Sequence, residues 1–217
     1  NYNTGHVLEN TIKSVISQDC DNYEYIIIDG GSSDNSIDII KEYDAHINYW
    51  VSERDKGIYH AMNKGISVAQ GEYCFFLNAG DILYNEKTLS SIKDFAKSDF
   101  VCGNVYLCHG QAGVWESPKN INTLFWLQRC SLCHQATFIK TELLKKRPYD
   151  ESLKIVGDWE QMFYELEINK RSYQKVNDII CYYSCDGVSS NHDRADTEKR
   201  LVIDKFRYLG YIAKDEL

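Results

Sequence analysis

Short apolar runs alternate with helical periodicities along the first half of the chain. Unbroken apolar or aromatic runs such as Tyr73–Leu77 are typical of strands buried on both faces of a sheet. Apolar residues spaced as on an amphipathic helix separate these runs. The predicted order is helix 5–18, strand 25–28, helix 37–43, strand 47–51, helix 58–66 and strand 73–77. Strands and helices alternating in this way predict an α/β fold, a doubly wound and mainly parallel sheet with helices on both faces.

The second half of the chain is less regular. Its pattern predicts helix 89–95, strands 100–108 and 135–140, helix 158–169, strand 173–183 and helix 201–212. The helix at 158 would carry Asp158 in its first turn. A chain of 217 residues can bury one sizeable core. We therefore expect a single domain whose two parts are residues 1–98 and residues 99–217.

The net charge of the chain indicates which kinds of partner it can bind. The formal net charge of −8 argues against a general nucleic-acid binder or a protein held on anionic lipid, since both need a basic face. No apolar run approaches the roughly 20 residues of a membrane-spanning helix, and no signal peptide opens the sequence. These features predict a soluble protein without a nucleic-acid partner.

Eight cysteines require a choice between metal binding, disulfides and free thiols. Cys130 and Cys133 form a C-x-x-C pair and Cys181 and Cys185 a C-x-x-x-C pair, which together could bind zinc. However, Cys181 lies in an apolar run, and neither pair sits in the glycine-rich knuckle of a zinc ribbon. Reduced and mostly buried thiols are the favoured prediction.

Acidic residues follow two of the predicted strands. Asp29 ends the run YIIID, and Asp81 comes after FFLNAG. Ligands of open α/β sheets bind beyond the carboxyl ends of the strands, where a carboxylate can hold a hard cation against a phosphate. The alternative is an ordinary turn, because Asn, Gly and Asp are all favoured there.

Five motifs in register extend this argument over nearly the whole chain. They are YIIIDGGSSDNS, SERDKGIYHAMNKGISVAQGEY, FFLNAGD, CHQATFIK and GDWE. In order and spacing the chain resembles the family 2 inverting glycosyltransferases of the GT-A fold, and most of all the bacterial members that build capsular, exopolysaccharide or lipopolysaccharide sugars. The resemblance implies that residues 1–98 bind a nucleotide sugar and that residues 99–217 bind the acceptor, a glycan or a lipid-linked molecule. It also implies a cytoplasmic protein, at most peripherally associated with the inner face of the membrane, and a first strand that would precede residue 1.

The resemblance implies a set of donor-binding residues. Tyr2 and Asp29 match positions that hold the nucleotide base and ribose, by ring stacking and by accepting hydrogen bonds. Asp55 and Lys56 match the segment next to the donor, where Lys56 could meet the diphosphate as a point charge. Asn78 lies in the turn that carries Asp81. A UDP-sugar is the expected donor.

The metal and catalytic residues are also implied by the resemblance. Family members commonly show a D-x-D or a doubled Asp, whereas here Asp81 is the only acid of its turn. Mn²⁺ or Mg²⁺ can be held by one carboxylate together with substrate phosphates, and His192 is a further candidate ligand. Asp158 matches the catalytic base, while an ordinary acid at a helix start is the alternative. Contacts with the acceptor or the donor sugar are assigned to His134, Gln135 and Trp159.

Two functions of other classes remain open. A sugar nucleotidyltransferase would share the sheet, but it is expected to carry a basic glycine-rich loop after its first strand. A non-catalytic nucleotide-sugar-binding protein would explain the reduced number of metal acids. The final Lys214-Asp215-Glu216-Leu217 matches an endoplasmic-reticulum retention signal, which we interpret as coincidence because such a signal acts only inside the secretory lumen.

Overall fold

A computed structural model describes residues 1–93, 97–108, 112–128, 130–184 and 192–212 of the chain. Some sequence predictions fall outside this description: Phe95 of the helix 89–95, Cys185 of the candidate zinc site, the side chain of His192 and the terminal residues 214–217. Among the helices that are described, none is both long enough and apolar enough to cross a lipid bilayer.

The described residues form alternating helices and strands, which confirms the predicted α/β class. The helices are α1 (Gly5–Ile16), α2 (Ser36–Glu42), α3 (Ile58–Val68), α4 (Thr88–Lys93), α5 (Thr123–Leu127), α6 (Thr141–Lys146), α7 (Gly157–Phe163) and α8 (His192–Tyr208). The strands are β1 (Ile26–Asp29), β2 (Tyr49–Ser52), β3 (Tyr73–Cys74), β4 (Ile82–Leu83), β5 (Phe100–Leu107), β6 (Gly113–Trp115), β7 (Thr137–Lys140) and β8 (Tyr173–Tyr183). A π-helical turn, Tyr164–Ile168, extends α7.

The strand pairs are mixed in direction rather than mainly parallel. β1 and β2 pair in parallel, and a second sheet has the order β3-β7-β5-β8-β4 with β6 paired to β5. In this second sheet β5 and β8 are parallel, whereas the other described pairs are antiparallel. The prediction of a mainly parallel sheet is therefore wrong for the described strands. A run buried on both faces is equally apolar in either direction, so its sequence does not report the direction of its partner.

The strand predicted at 73–77 is shorter than expected and lies at one end of its sheet. Only Tyr73 and Cys74 pair, with Lys140 and Ile139 of β7. After Cys74 the chain leaves the ladder, and its aromatic residues pack on rings instead. Phe75 stacks on Phe138 with centroids 4.6 Å apart. Only part of the predicted run is therefore strand, and Cys74 is its one buried residue, while the other four are partly buried.

Two further boundaries differ from the predictions. β7 begins at Thr137 because His134–Ala136 forms a 3-10 turn before it. α8 begins nine residues before the predicted Leu201, because its first turns are polar and carry no apolar periodicity. It ends at Tyr208, ahead of Gly210, whose φ of 77° is left-handed.

One large core joins elements from both parts of the chain. Tyr59 and Met62 of α3 share it with Phe100 of β5, Trp159 of α7 and Phe206 of α8. A smaller cluster lies between α1, β1 and α2 and contains Leu8, Ile12, Ile27 and Ile40. The division at residue 98 stays a prediction, but the larger cluster crosses that position.

We expect Gly103→Ala to destabilise the fold. A Cβ at Gly103 would lie 2.4 Å from Cγ1 of Ile180 and 2.9 Å from the carbonyl oxygen of Asp178, where β5 packs on β8. Overpacking of this kind costs about 1–3 kcal/mol. Gly113→Ala in β6 is the matched control, since its Cβ would meet nothing within 4 Å. Urea unfolding of the two variants should separate them, and equal stability would contradict the packing of β5 on β8.

Candidate active site

A buried carboxylate organises the loop after β1. Asp29 has no exposed surface. Its Oδ1 accepts hydrogen bonds from Asn1 Nδ2 at 2.7 Å and Ser32 Oγ at 2.6 Å, and its Oδ2 accepts from Ser52 Oγ at 2.6 Å and from the amides of Ser32 and Gly31 at 2.9 and 3.1 Å. Burial raises the pKa of Asp29, but these hydrogen bonds outweigh it and hold the pKa below its usual value. The carboxylate shapes the loop, and it has no exposed oxygen for direct contact with a nucleotide in this conformation.

Gly30 brings two other predicted donor residues together. A Cβ at this position would lie 3.1 Å from Oδ2 of Asp55 and 3.2 Å from the Tyr2 ring. Tyr2 is 63% exposed, so its ring is open to a ligand. Tyr2 and Asp55 therefore flank the loop that Asp29 organises. The absence of a side chain at Gly30 permits this close approach.

Asp55 is bonded from its other side by two side chains of α3 that the sequence analysis missed. Its Oδ1 lies 2.5 Å from Lys64 Nζ and 3.2 Å from His60 Nδ1, both on α3. Lys64 also pairs with Glu53 at 2.9 Å. Burial lowers the pKa of Lys64, but the two carboxylates outweigh it and raise that pKa overall. No local spacing rule predicts this pairing, because it forms around the start of a helix.

Lys56 lies in the turn that leads into α3 and is exposed. The next residue, Gly57, has a φ of 142°, and a Cβ there would meet nothing within 4 Å. The backbone conformation, rather than lack of space, therefore favours glycine at this position. The ammonium group of Lys56 is placed at the surface beside the Asp55 segment.

The turn that carries Asp81 is held by α1. Thr11 Oγ1 donates to the carbonyl of Asp81 at 2.9 Å and accepts from the amide of Gly80 at 3.0 Å. The Asp81 side chain is buried, with 3% of the residue exposed. Its Oδ1 accepts from the Ser184 amide at 2.9 Å, and Gln135 also bonds to the carboxylate. Burial raises the pKa of Asp81 to about 6, because these bonds compensate the charge only in part.

Of the predicted metal ligands, Asp81 is the one whose side chain lies in the described part of the chain. There, no group of three or more His, Cys, Asp or Glu side chains is arranged to hold a metal ion. Asp81 is a hard oxygen donor whose charge is only partly compensated by its hydrogen bonds, which suits Mn²⁺ or Mg²⁺. The remaining ligands would have to come from substrate oxygens and water, or from His192, whose side chain is outside the description.

Asp158 lies in the first turn of α7 and contacts α3. Its Oδ1 accepts a hydrogen bond from the Tyr59 hydroxyl at 2.8 Å, and the same hydroxyl lies 2.6 Å from the carbonyl oxygen of Ile155. A Cβ at Gly157 would lie 2.8 Å from the Tyr59 ring, so the ring packs directly on the backbone at the start of α7. Tyr59 thus links α3, which begins beside Lys56, to Asp158.

Two further acids hold α7 in place. Glu160 is fully buried and pairs with Arg147 through two bonds, at 2.5 and 2.9 Å. Glu198 of α8 accepts hydrogen bonds from the amides of residues 154–156, at 2.9 Å for Ile155. Such charge-assisted bonds are stronger than neutral ones. The backbone on each side of Asp158 is therefore tied to other elements.

The three predicted acceptor or sugar contacts fall in different places. His134 is buried, with Nε2 2.8 Å from the Tyr149 hydroxyl and its ring stacked on Phe76. Burial lowers the pKa of His134, and the charge of Asp158 opposes this in part. Gln135 bonds to Asp81 rather than Asp158.

Trp159 does not line the site. It is 3% exposed, its indole nitrogen donates to the Cys130 carbonyl at 2.7 Å, and its ring packs against Trp126 and Phe163. A sugar therefore has no surface of Trp159 to contact in this conformation. The aromatic residue next to the predicted base belongs to the core.

The cysteines of the alternative zinc site differ in their exposure to solvent. Cys130 is exposed, whereas Cys181 is buried in β8 and donates through Sγ to the Gln135 carbonyl at 3.1 Å. Burial raises the pKa of Cys133 and Cys181, which favours the neutral thiols. Cys185 lies outside the description, so the four-cysteine hypothesis is not tested as a whole.

Comparison with known proteins identifies the family. The family model described as "Glycosyl transferase family 2" matches residues 1–184. The chain belongs to this family. A relative from Mycobacterium tuberculosis H37Ra, named PGL/p-HBAD biosynthesis glycosyltransferase, is 30% identical over 166 residues, which cover 73% of this chain and 64% of the relative. The chain thus spans a little under two thirds of the length of that relative.

Solved structures show the same fold. Staphylococcus aureus TarS 1–349 in complex with UDP-GlcNAc matches with a TM-score of 0.74 and 20% identity, over 95% of this chain and 64% of that one. The mannosyltransferase PcManGT from Pyrobaculum calidifontis, in complex with GDP-Man and Mn²⁺, matches with a TM-score of 0.68 and 16% identity, over 99% and 63%. These neighbours are GT-A glycosyltransferases, so the predicted GT-A fold is confirmed.

The raised pKa of Asp81 predicts a pH-dependent effect of Asp81→Asn on stability without metal. The folded protein binds a proton more tightly at Asp81 than the unfolded chain does, so this group stabilises the fold at low pH and loses that contribution as pH rises through about 6. In Asp81→Asn the side chain cannot ionise, so the variant avoids the cost of a buried negative charge at high pH. We expect its free energy of unfolding to match the parent near pH 4 and to exceed it by up to about 3 kcal/mol at pH 8.

Urea unfolding at several pH values, in the presence of a chelator, measures this difference. Asp38→Asn, at an exposed acid of α2, is the control and should track the parent throughout. A constant difference between Asp81→Asn and the parent from pH 4 to 8 would contradict the burial of this carboxylate.

Proposed function

We propose that this chain is an inverting glycosyltransferase, which moves a sugar from a nucleotide-sugar donor to a hydroxyl of a glycan or lipid-linked acceptor in cell-surface polysaccharide synthesis. The observation that carries the proposal is the short path from the donor segment to the base. α3 begins directly after Gly57, and Tyr59 in its first turn reaches Oδ1 of Asp158 at 2.8 Å. A donor beside Lys56 and an acceptor at Asp158 would then be neighbours.

The donor half of the proposal rests on the residues around Gly30. The exposed ring of Tyr2 suits stacking on a nucleotide base. Oδ2 of Asp55 faces Gly30, on the side away from Lys64, where it could accept a ribose or base hydrogen. Lys56 supplies a point charge for the diphosphate, and Asn78 is a proposed contact from the neighbouring turn. In this scheme Asp29 acts through the loop that it organises.

A UDP-sugar is the proposed donor. The named complexes of the TarS neighbours with UDP and UDP-GlcNAc support this choice. The archaeal mannosyltransferase was solved with GDP-Man, so a GDP-sugar is the competing donor. The discriminating contacts would be those made to the base by Tyr2 and Asp55.

Asp158 is the proposed catalytic base. The acceptor oxygen attacks the anomeric carbon on the face opposite the nucleoside diphosphate, and Asp158 takes the hydroxyl proton. The bond from the anomeric carbon to the phosphate oxygen breaks, and the diphosphate leaves with the electron pair. One displacement inverts the configuration and needs no covalent intermediate. Burial lowers the pKa of His134, and its Nε2 is engaged by Tyr149, so we propose that it supports the acceptor region from beneath rather than contacting the acceptor.

Asp81 is the proposed metal ligand, together with substrate oxygens and with His192 as a further candidate. A divalent cation bound here would offset negative charge on the departing diphosphate. The Mn²⁺ in the named complex of the archaeal neighbour supports this assignment. Because the pKa of Asp81 is about 6, protons would compete with the cation below that pH.

The proposed acceptor is lipid-linked or a glycan, and the proposed location is the cytoplasm at the inner face of the membrane. The mycobacterial relative is named a PGL/p-HBAD biosynthesis glycosyltransferase, which supports a role in biosynthesis. For this chain the acceptor region would be the surface next to Asp158 and His134. Contact with the membrane would be peripheral.

We predict that Asp158→Asn keeps the fold and the donor affinity but lowers transfer by a factor of about 10²–10⁴. Asparagine preserves the size of the side chain and can still accept the Tyr59 hydroxyl hydrogen. Transfer is measured as release of nucleoside diphosphate with an acceptor that supports turnover of the parent, and donor affinity by calorimetry.

Asp38→Asn is the matched control, because Asp38 is likewise an acid in the first turn of a seven-residue helix. It should transfer at the parental rate. Transfer by Asp158→Asn within a fewfold of the parent would show that another group takes the proton. Loss of donor binding would instead place Asp158 on the donor side of the site.

A further inference from the structure

The Tyr59 hydroxyl lies in a position to select which oxygen of Asp158 meets the acceptor. It is 2.8 Å from Oδ1 of Asp158 and 2.6 Å from the carbonyl of Ile155. Within the described residues, Oδ1 is the Asp158 side-chain oxygen that receives a protein hydrogen bond. One oxygen of the carboxylate is thus tied to α3, while Oδ2 keeps its lone pairs for another donor.

The ring that carries this hydroxyl is held rigidly. Tyr59 is 4% exposed and belongs to the large core. Its ring carbons occupy the space that a Cβ of Gly157 would need, at 2.8–2.9 Å, and its ring packs against Tyr149 with centroids 5.6 Å apart. Because the ring is fixed by packing, the position of its hydroxyl is fixed as well. A rigid partner of this kind restricts the rotamer of the residue that it bonds.

Tyr59 itself does not serve as the base. Burial raises the pKa of its phenol well above the usual value, and the charge of Asp158 raises it further. The phenol therefore keeps its proton at physiological pH and can only donate a hydrogen bond, which the Asp158 carboxylate and the Ile155 carbonyl are both placed to accept.

We propose that Tyr59 is the positioning residue of the catalytic base: its hydroxyl binds Oδ1 of Asp158 and thereby presents Oδ2 to the acceptor hydroxyl. The inference rests on the proposed role of Asp158. In the transfer step the acceptor O–H proton passes to Oδ2, the acceptor oxygen bonds to the anomeric carbon, and the Tyr59 proton stays on Tyr59. The hydrogen bond to Oδ1 persists, since the protonated carboxyl group retains an acceptor oxygen there.

The arrangement also connects donor and acceptor sites. Tyr59 is the second residue of α3, whose start follows the exposed Lys56. Asp55, the residue before Lys56, is bonded to His60 and Lys64 of the same helix. A donor that settles against this segment contacts the helix that orients the base. Correct orientation of a reacting group accounts for a large part of enzymatic rate enhancement.

The test is Tyr59→Phe, which removes the hydroxyl and keeps the ring that packs on Gly157. We expect kcat to fall about ten- to a hundredfold, the scale of a lost hydrogen bond to a charged group, with donor affinity unchanged within twofold. The acid limb of the pH profile of kcat should also move to higher pH, because a hydrogen bond to a carboxylate favours its ionised form.

Tyr173→Phe is the matched control. Tyr173, on strand β8, is a partly buried tyrosine whose hydroxyl donates to the Pro118 carbonyl at 2.8 Å. The Tyr173→Phe variant therefore also loses a phenol hydroxyl and its hydrogen bond to a backbone carbonyl, but in another part of the fold. It should keep the parental pH profile, so a shift in both variants would indicate a general effect on stability and overturn the proposal.

A double-mutant cycle separates this inference from the proposed function. If Tyr59 acts through Asp158, adding Tyr59→Phe to Asp158→Asn should lower the residual rate by less than twofold. An equal loss in both backgrounds, or parental kcat and pH profile in Tyr59→Phe alone, would refute the positioning role while leaving the role of Asp158 standing. Full activity of Asp158→Asn would instead refute the proposed role of Asp158 as the catalytic base.

Gly157→Ala provides a second variant if Tyr59→Phe folds poorly. Its Cβ would displace the Tyr59 ring while the hydroxyl remains on the chain. We expect it to retain donor binding and to lose transfer at least tenfold. Parental turnover in this variant would show that the position of the ring does not matter to the base.

Discussion

The site depends on the contact between α3 and the start of α7. Tyr59 and Asp158 are 99 residues apart in sequence, yet the phenol hydroxyl and the carboxylate are within hydrogen-bond distance in the core. The surrounding backbone is held by the Glu198 carboxylate, and α7 is held by the pairing of its buried Glu160 with the partly exposed Arg147. Breaking this pair would leave the buried carboxylate of Glu160 without its cation, which is costly, so α7 has little freedom to shift. The position of the proposed base is therefore set by packing from several elements.

Two acids that look alike in sequence differ in their environments. Asp29 and Asp81 both follow apolar runs and both are buried. Asp29 is surrounded by hydroxyl and amide donors, which keep its pKa low. Asp81 has fewer donors, and burial raises its pKa to about 6. A carboxylate whose charge is uncompensated gains most from a nearby cation. This contrast supports Asp81 rather than Asp29 as the metal ligand.

Local periodicity and strand ends in the sequence predicted the α/β class and most elements, whereas the grouping of Tyr2, Asp29 and Asp55 was implied by the resemblance to the family. The predicted strand direction, mainly parallel, was wrong, since a doubly covered strand is apolar whichever way its partner runs. Trp159 shows a second limit, because an aromatic residue beside a catalytic acid has the same local sequence whether it faces solvent or the core. Tyr59 and Glu198 act across long sequence separations, and no spacing rule connects them to Asp158.

In the proposed function, Tyr2 and Asp55 bind a nucleotide sugar and Asp81 binds a divalent cation. Thermal unfolding with UDP-, GDP- and dTDP-sugars, each with and without Mn²⁺, tests it most directly, because a ligand of the folded state stabilises it by mass action. A donor at 100 times its Kd adds about 2.7 kcal/mol, which raises Tm by roughly 5–10 °C for a chain of this size. We predict such a rise for the UDP-sugars, larger with Mn²⁺. No rise with any nucleotide sugar at millimolar concentration, or an equal rise with the free monosaccharides, would contradict the account.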